Sequence, residues 1–306
     1  MATTDVSIHA GVPARPLDLN GIRVREDVLY ADAKGREKTK LHKRAAKAFD
    51  NLGDILRRVL EPTETIFYIA EAQIMPGALA QLFGGGWHSY SIPQTLLFFT
   101  ERRIMAFRLR KHMGGWTWNR GLKELRWGDL LQAVPGGFLV HSLTLKFRNG
   151  EKQAYWRVPS GDSKKIKLLV QVLQPNGSGL STSVGGMVSL CPNCLATLAP
   201  GNYQCPSCGA RFKDEKTLVW RGLVVPGGAS LYVGASVLGV LRAVFETMLL
   251  FAIFWSLFSA LREPSTSKTA ADLFGAAVFE CALLVVDKLM AIAISLPQIR
   301  DFIPAE

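Results

Sequence analysis

Cys191-Pro-Asn-Cys194 and Cys205-Pro-Ser-Cys208 divide the chain into two unlike parts. The pattern is C-x-x-C, ten residues, then C-x-x-C. Each pair predicts a tight knuckle that aims two thiolates at one point, and two knuckles complete a tetrahedral structural zinc site. Gly209 follows the second pair, where a residue free to take positive φ suits the turn. A loop this short cannot bury a core, so metal has to hold it; structural zinc supplies on the order of 10–16 kcal/mol in small peptides. A redox dithiol pair and two disulfides are the competing uses of the same residues. The fifth cysteine, Cys281, lies in an apolar run. That usage suits a reducing compartment.

The residues from Leu190 to Lys213 resemble the short zinc ribbons common in bacterial proteins. All four expected ligands, Cys191, Cys194, Cys205 and Cys208, are thiols, so the resemblance implies a closed, structural zinc and not a catalytic one.

Charge is distributed as unevenly as hydropathy. The chain has 306 residues and a formal net charge of +11. Residues 1–190 hold 27 Lys+Arg against 16 Asp+Glu, whereas residues 191–306 hold 9 of each. A basic half beside an apolar half predicts attraction to anionic lipid, at about 1 kcal/mol per near-surface cation. The same balance follows from positive-inside topology alone. No charged-then-apolar leader opens the sequence, so the first half is expected in the cytosol.

Residues 1–33 read as an irregular tail, broken by Gly11, Pro13, Pro16 and Gly21. Residues 34–60 form a basic amphipathic helix. Leu41, Ala45, Ala48, Phe49, Leu52, Ile55, Leu56 and Val59 make one stripe, and Arg36, Lys38, Lys40, Lys43, Arg44, Lys47, Arg57 and Arg58 the other. With one aromatic on it, docking on a neighbouring domain is favoured over insertion in a membrane. Residues 61–174 read as about seven short strands closed by a helix near Ser163–Leu173, with Asn149-Gly150 as a hairpin turn.

Thr95–Phe107, with Thr100-Glu101-Arg102-Arg103 between two apolar runs, is similar to the strand–Thr-Asp-x-Arg–strand hairpin of bacterial pleckstrin-homology-like (GRAM-like) domains. Glu101 stands where those domains have Asp. Leu125–Val134 is similar to their aromatic-x-Asp-hydrophobic segment. The resemblance implies an all-β barrel with a C-terminal capping helix, and Gly77–Ile92 would be an insertion in it. In such folds, cations on a strand-connecting loop hold anionic headgroups, which makes Arg108, Arg110, Lys111 and His112 the candidate anionic site. Residues 175–189 read as a flexible linker.

After the ribbon, residues 217–299 are a membrane region. Two spans are expected, about 229–261 and 271–294, with Pro226–Gly228 marking an interfacial or re-entrant entry. A hairpin centred near Ser265 brings Arg242 and Glu246 to the depth of Asp287 and Lys288, with Arg242–Asp287 and Glu246–Lys288 as the pairs. Glu280 has no cation at its own depth, which makes it a proton site, an oligomer contact or a hydrogen-bonded neutral acid between helices.

No Ser-His-Asp order is legible and five histidines show no ligand spacing, so an enzyme is not expected. The composite reading is a multi-domain, multi-pass protein of the cytoplasmic membrane, with its barrel and ribbon in the cytosol, that recognises a protein or anionic lipid and is able to self-associate. A membrane-tethered nucleic-acid binder and a transport-complex subunit are the alternatives.

Overall fold

The computed structural model describes residues 17–74, 94–112, 115–136, 141–176, 186–262 and 268–305. The expected insertion at Gly77–Ile92 and most of the expected linker lie outside them. The described residues fall into two compact units. One holds the residues up to Ala199 together with Cys205–Cys208; the other holds Pro200–Gln204 and the chain from Gly209 onward.

The first unit is built on a sheet of eleven strands. β1 (Leu17–Leu19) and β2 (Ile22–Val24) form a hairpin. Asn20 and Gly21 turn it with φ of 56° and 83°, the two positive values that a two-residue turn of this hand requires. The expectation of an irregular tail is therefore corrected over residues 17–33: the hairpin pairs in parallel with β3, and α1 (Glu26–Leu29) follows. Next comes α2 (Thr39–Val59), then an antiparallel meander of β3 (Thr65–Ile74), β4 (Gln94–Thr100), β5 (Arg103–His112) and β6 (Gly115–Arg126). A 3-10 turn at Trp127–Asp129 leads into a second meander of β7 (Leu130–Gly136), β8 (Ser142–Phe147) and β9 (Lys152–Trp156), closed by α3 (Ser160–Asn176). β9 joins β3 through Gln73↔Trp156 and Ile74↔Tyr155. Gly150, at φ 87°, turns β8 into β9 at the expected Asn-Gly.

Both faces of the central strands are buried, because each has its own helix to cover it. Ile69, Phe98, Met105 and Phe107 pack with Ala45, Ala48, Leu52 and Leu56 of α2. Tyr68, Leu97, Phe99 and Ile104 pack with Ile166, Leu169 and Leu173 of α3. The apolar stripe of α2 is thus filled by its own sheet, and Lys40, Lys43 and Lys47 are left outside.

The sheet is open. Its order runs β11-β10-β6-β5-β4-β3-β9-β8-β7, so β7 and β11 form its two ends. A closed barrel would bring the outer edge of β6 toward β7, but that edge is taken by β10 (Val188–Leu190), through Val188↔Glu124 and Leu190↔Leu122. β11 (Thr197–Leu198) then pairs with β10. The end of the expected linker is therefore a strand of the main sheet.

The Thr-Glu-Arg-Arg hairpin is a knot of buried charge. Arg103 donates to Glu64 at 2.9 Å and to the Val59 carbonyl at 2.7 Å, and pairs with Glu124. Burial opposes its charge, yet the two carboxylates hold the guanidinium above its ordinary pKa. The Glu101 carboxylate accepts the Thr65 backbone N–H, and Trp127 Nε1 donates to the Thr100 carbonyl at 2.9 Å. A second buried network links α2 and α3 through the sheet: Arg44 pairs with Asp162 at 2.6 Å, Tyr68 donates to Asp162 at 2.8 Å, and Lys165 donates to the Val28 and Ala31 carbonyls.

The second unit is helical: α4 (Glu215–Val224), α5 (Gly228–Tyr232), α6 (Ser236–Arg262) and α7 (Lys268–Ile299). Asp214 caps α4 by accepting from the Thr217 backbone N–H at 2.8 Å. Among the described residues, α6 alone is long and apolar enough to cross a membrane by length and composition. The expected second span lies on α7, which runs unbroken for 32 residues but carries Asp272, Glu280, Asp287 and Lys288.

Candidate metal centre

The two knuckles converge as the spacing predicts. The ligand atoms of Cys191, Cys194, Cys205 and Cys208 all lie within 4.8 Å of one another, and all four belong to the first unit. Cys191 and Cys208 are 3.6 Å apart at sulfur, and Cys194 and Cys205 3.5 Å. A disulfide needs about 2 Å, so the disulfide alternative is overturned. A tetrahedron with metal–sulfur bonds of about 2.3 Å has edges of about 3.8 Å, close to the spacing observed.

The backbone also prepares thiolates. In each knuckle the first cysteine receives N–H groups from the residues two and three further on: Asn193 and Cys194 for Cys191, Ser207 and Cys208 for Cys205. Burial pushes the Cys191 thiol up to about 12, against those N–H groups. Burial opposes charge on Cys205 as well, but its N–H donors and neighbouring thiols draw it down to about 6. Donors aimed at sulfur fit a metal-bound thiolate better than a neutral thiol. The residue after each knuckle is left-handed, Gly209 at φ 72° and Leu195 at φ 63°. Leu195 tolerates that conformation because its side chain packs on the α2 core. Sequence reasoning found the glycine and missed the leucine, whose residue type hides the turn.

Two contacts fix the centre to the sheet unit. Strand β10 delivers Cys191 directly from its pairing with β6, and Arg58, in the last turn of α2, donates to the Asn193 carbonyl inside the first knuckle.

The anionic-site candidates fare differently. Arg108 is only 4% exposed, inside β5, so its guanidinium does not line a solvent-facing loop. Arg110, Lys111 and His112 end the same strand, and their side chains lie outside the described residues.

In the helical unit, α6 and α7 run antiparallel, and the structure brings Arg242 to 3.6 Å from Asp287 and Lys288 to 2.7 Å from Glu246. Glu246 is 1% exposed and Arg242 8%. Ser230 of α5 lies 3.5 Å from the Arg242 guanidinium. Glu280 accepts from Ser256 Oγ at 3.3 Å across the helix pair, the geometry of the interhelical hydrogen bond expected for a lone carboxyl group.

No protein-family model matches the sequence, and no curated protein matches it. A crystal structure of the C-terminal domain of an unknown protein from Leishmania infantum aligns with 43% of this chain and 96% of its own, at 10% identity and a TM-score of 0.24. A superposition that loose carries no argument about fold or function.

Proposed function

We propose that this chain is a non-enzymatic, membrane-anchored recognition protein whose sheet unit and zinc ribbon face the cytoplasm. The observation that carries the reading is α6. Apart from Arg242, Glu246 and Ser256 on its inward face, its side chains are mostly apolar and exposed, among them Met248, Phe251, Phe254, Trp255 and Leu261. Twenty-seven residues reach about 40 Å, more than the roughly 30 Å of a hydrocarbon core. α7 returns beside it as a second span, with Asp287 paired to Arg242, Lys288 to Glu246, and Glu280 accepting from Ser256.

The metal is zinc, because four thiols at tetrahedral spacing with no histidine or carboxylate suit a structural zinc site. The sheet unit is pleckstrin-homology-like. Support comes from a four-strand and a three-strand meander joined through their first and last strands, with α3 against the interior face. Its partner is a protein or an anionic lipid surface, met by the exposed basic face of α2.

The test is affinity purification from cross-linked native membranes, with Cys191→Ser/Cys205→Ser as control. A specific partner kept by the intact chain and lost in the control assigns recognition to the ribbon. A partner common to both assigns it to the sheet. Specific retention of neither protein nor anionic lipid overturns the proposal.

A further inference from the structure

The chain enters the helical unit through α4, a sharp turn at Pro226–Gly228, and α5, and this element carries an apolar face of its own. Trp220 is 68% exposed, and Leu223, Val224 and Val225 are exposed beside it. The opposite side of α4 is spent on packing, where Leu218 is buried with Ile292 and Ile299 of α7. Polarity changes along the helix: Asp214 to Thr217 open it, and Leu223 to Val225 close it.

The turn is seated on α6 at backbone distance. A Cβ on Gly227 would lie 2.1 Å from the Gly239 carbonyl oxygen and 3.1 Å from the Ala243 Cβ. The turn therefore lies level with residues 239–243 of α6, which begins at Ser236. At that level α6 turns Arg242 inward and shows Val237, Val240, Leu241 and Val244 outward. The outward apolar surface of α6 thus runs without interruption past its buried charges. Counting about 30 Å back from Arg262, at 1.5 Å per residue, ends near Ala243.

The turn is also furnished for a place without water. Val225 N–H bonds to the Arg221 carbonyl, Gly228 N–H to the Val225 carbonyl and Leu231 N–H to the Gly227 carbonyl, at 2.9, 2.9 and 3.0 Å. α4 ends at Val224 with Val225 extended, which leaves the Gly222 carbonyl in an open last turn, and Lys288 donates to it at 3.2 Å. Irregular backbone at membrane depth is tolerated where its polar groups are met by protein in this way.

We infer that α4 and the Pro226–Gly228 turn form a collar embedded in the bilayer leaflet on the side where α6 begins, with Trp220 at the headgroup boundary and Leu223–Val225 among the acyl chains. Lipid is the occupant of this face, because the turn that ends it is seated on α6 at the level where that helix shows Val237, Val240, Leu241 and Val244 outward. The inference rests on the membrane-anchor reading above.

The full chain reconstituted in phosphatidylcholine–phosphatidylglycerol vesicles provides the test. Lys216→Cys, Leu223→Cys and Val224→Cys are labelled separately with a membrane-impermeant maleimide, and the sites are mapped by peptide mass. The unmodified chain is irradiated with a phospholipid carrying a diazirine in its acyl chain. The expected result is labelling at least tenfold slower at 223 and 224 than at 216, with lipid cross-linked to the peptide spanning 220–225. Equal labelling rates overturn the collar, and protection without lipid cross-linking overturns it in favour of a protein cover. In either case resistance to alkaline carbonate extraction leaves the anchor standing, whereas release by carbonate overturns both.

Discussion

The Lys288 ammonium lies 3.2 Å from the Gly222 carbonyl oxygen, an acceptor in the last turn of α4. The same ammonium lies 2.7 Å from a Glu246 carboxylate oxygen. One lysine on α7 therefore meets both an end carbonyl of α4 and a buried acid on α6.

Lys288→Met is expected to cost about 3–5 kcal/mol, because it leaves Glu246 buried without its cation. The measurement is thermal unfolding of the detergent-solubilised protein. Adding Glu246→Leu should recover most of the loss. A single Lys288→Met variant that unfolds with the wild type shows that the cluster carries no stability.

Charge exchange examines the other pair. Arg242→Asp or Asp287→Arg alone should lower the yield of folded protein, and the two together should restore it. Equal yields from single and double variants would sink the Arg242–Asp287 pairing.

About one zinc per chain should copurify, as read by elemental analysis. Cys191→Ser or strong chelation should raise amide exchange over residues 188–198 first, since β10 and β11 hold the first knuckle to β6. Affinity should fall in acid as the thiolates protonate. A metal-free chain with unchanged exchange would exclude a structural metal.

Two glycines separate close packing from open helix. Gly227→Ala meets the Gly239 carbonyl at a left-handed φ of 64° and should abolish stable folding. Gly275→Ala meets nothing within 4 Å on α7 and should stabilise by about 0.5–1 kcal/mol. Equal behaviour in a melting assay contradicts the seating of the turn.

Lys165 makes stability depend on alkaline pH. Burial lowers its pKa from an ordinary 10.5 to about 8, against the pull of Asp162. Between those values the unfolded chain binds the proton and the folded chain does not, so stability rises with pH across that window. Compared with Lys165→Met, the wild type should gain on the order of 2–3 kcal/mol from pH 8 to 10.5 in denaturant titrations. Parallel pH profiles would show that Lys165 keeps its ordinary proton affinity.

Local chemistry was readable in the sequence. Cysteine spacing located the thiol centre, Asn149-Gly150 located a turn, the 3-4 stripe located α2, and hairpin arithmetic placed Arg242 near Asp287 and Glu246 near Lys288. Long-range edges were not readable. Val188-Ser189-Leu190 is too short and too close to glycines to announce a strand, and only the free edge of β6 makes it one. The same pairing leaves the sheet open where a closed barrel was expected. Arg108 looked solvent-facing because both faces of β5 are buried and a bulge between Phe107 and Leu109 breaks the alternation. Asn20-Gly21 was a turn signal flanked by strands of three residues, below the length at which a period can be seen.

The pairing of β10 with β6 also ties the sheet's edge to the state of the thiol centre. β10 covers β6 over Leu122–Glu124, and a bared strand edge templates pairing with another chain. With the thiol centre intact, the outermost strand on that side is β11, two residues long and a poor template. Oxidation of the cysteines, or removal of a metal bound there, would release β10 and β11 and bare the Leu122–Glu124 stretch of β6, so a metal at the thiol centre would shield that edge as well as order the ribbon.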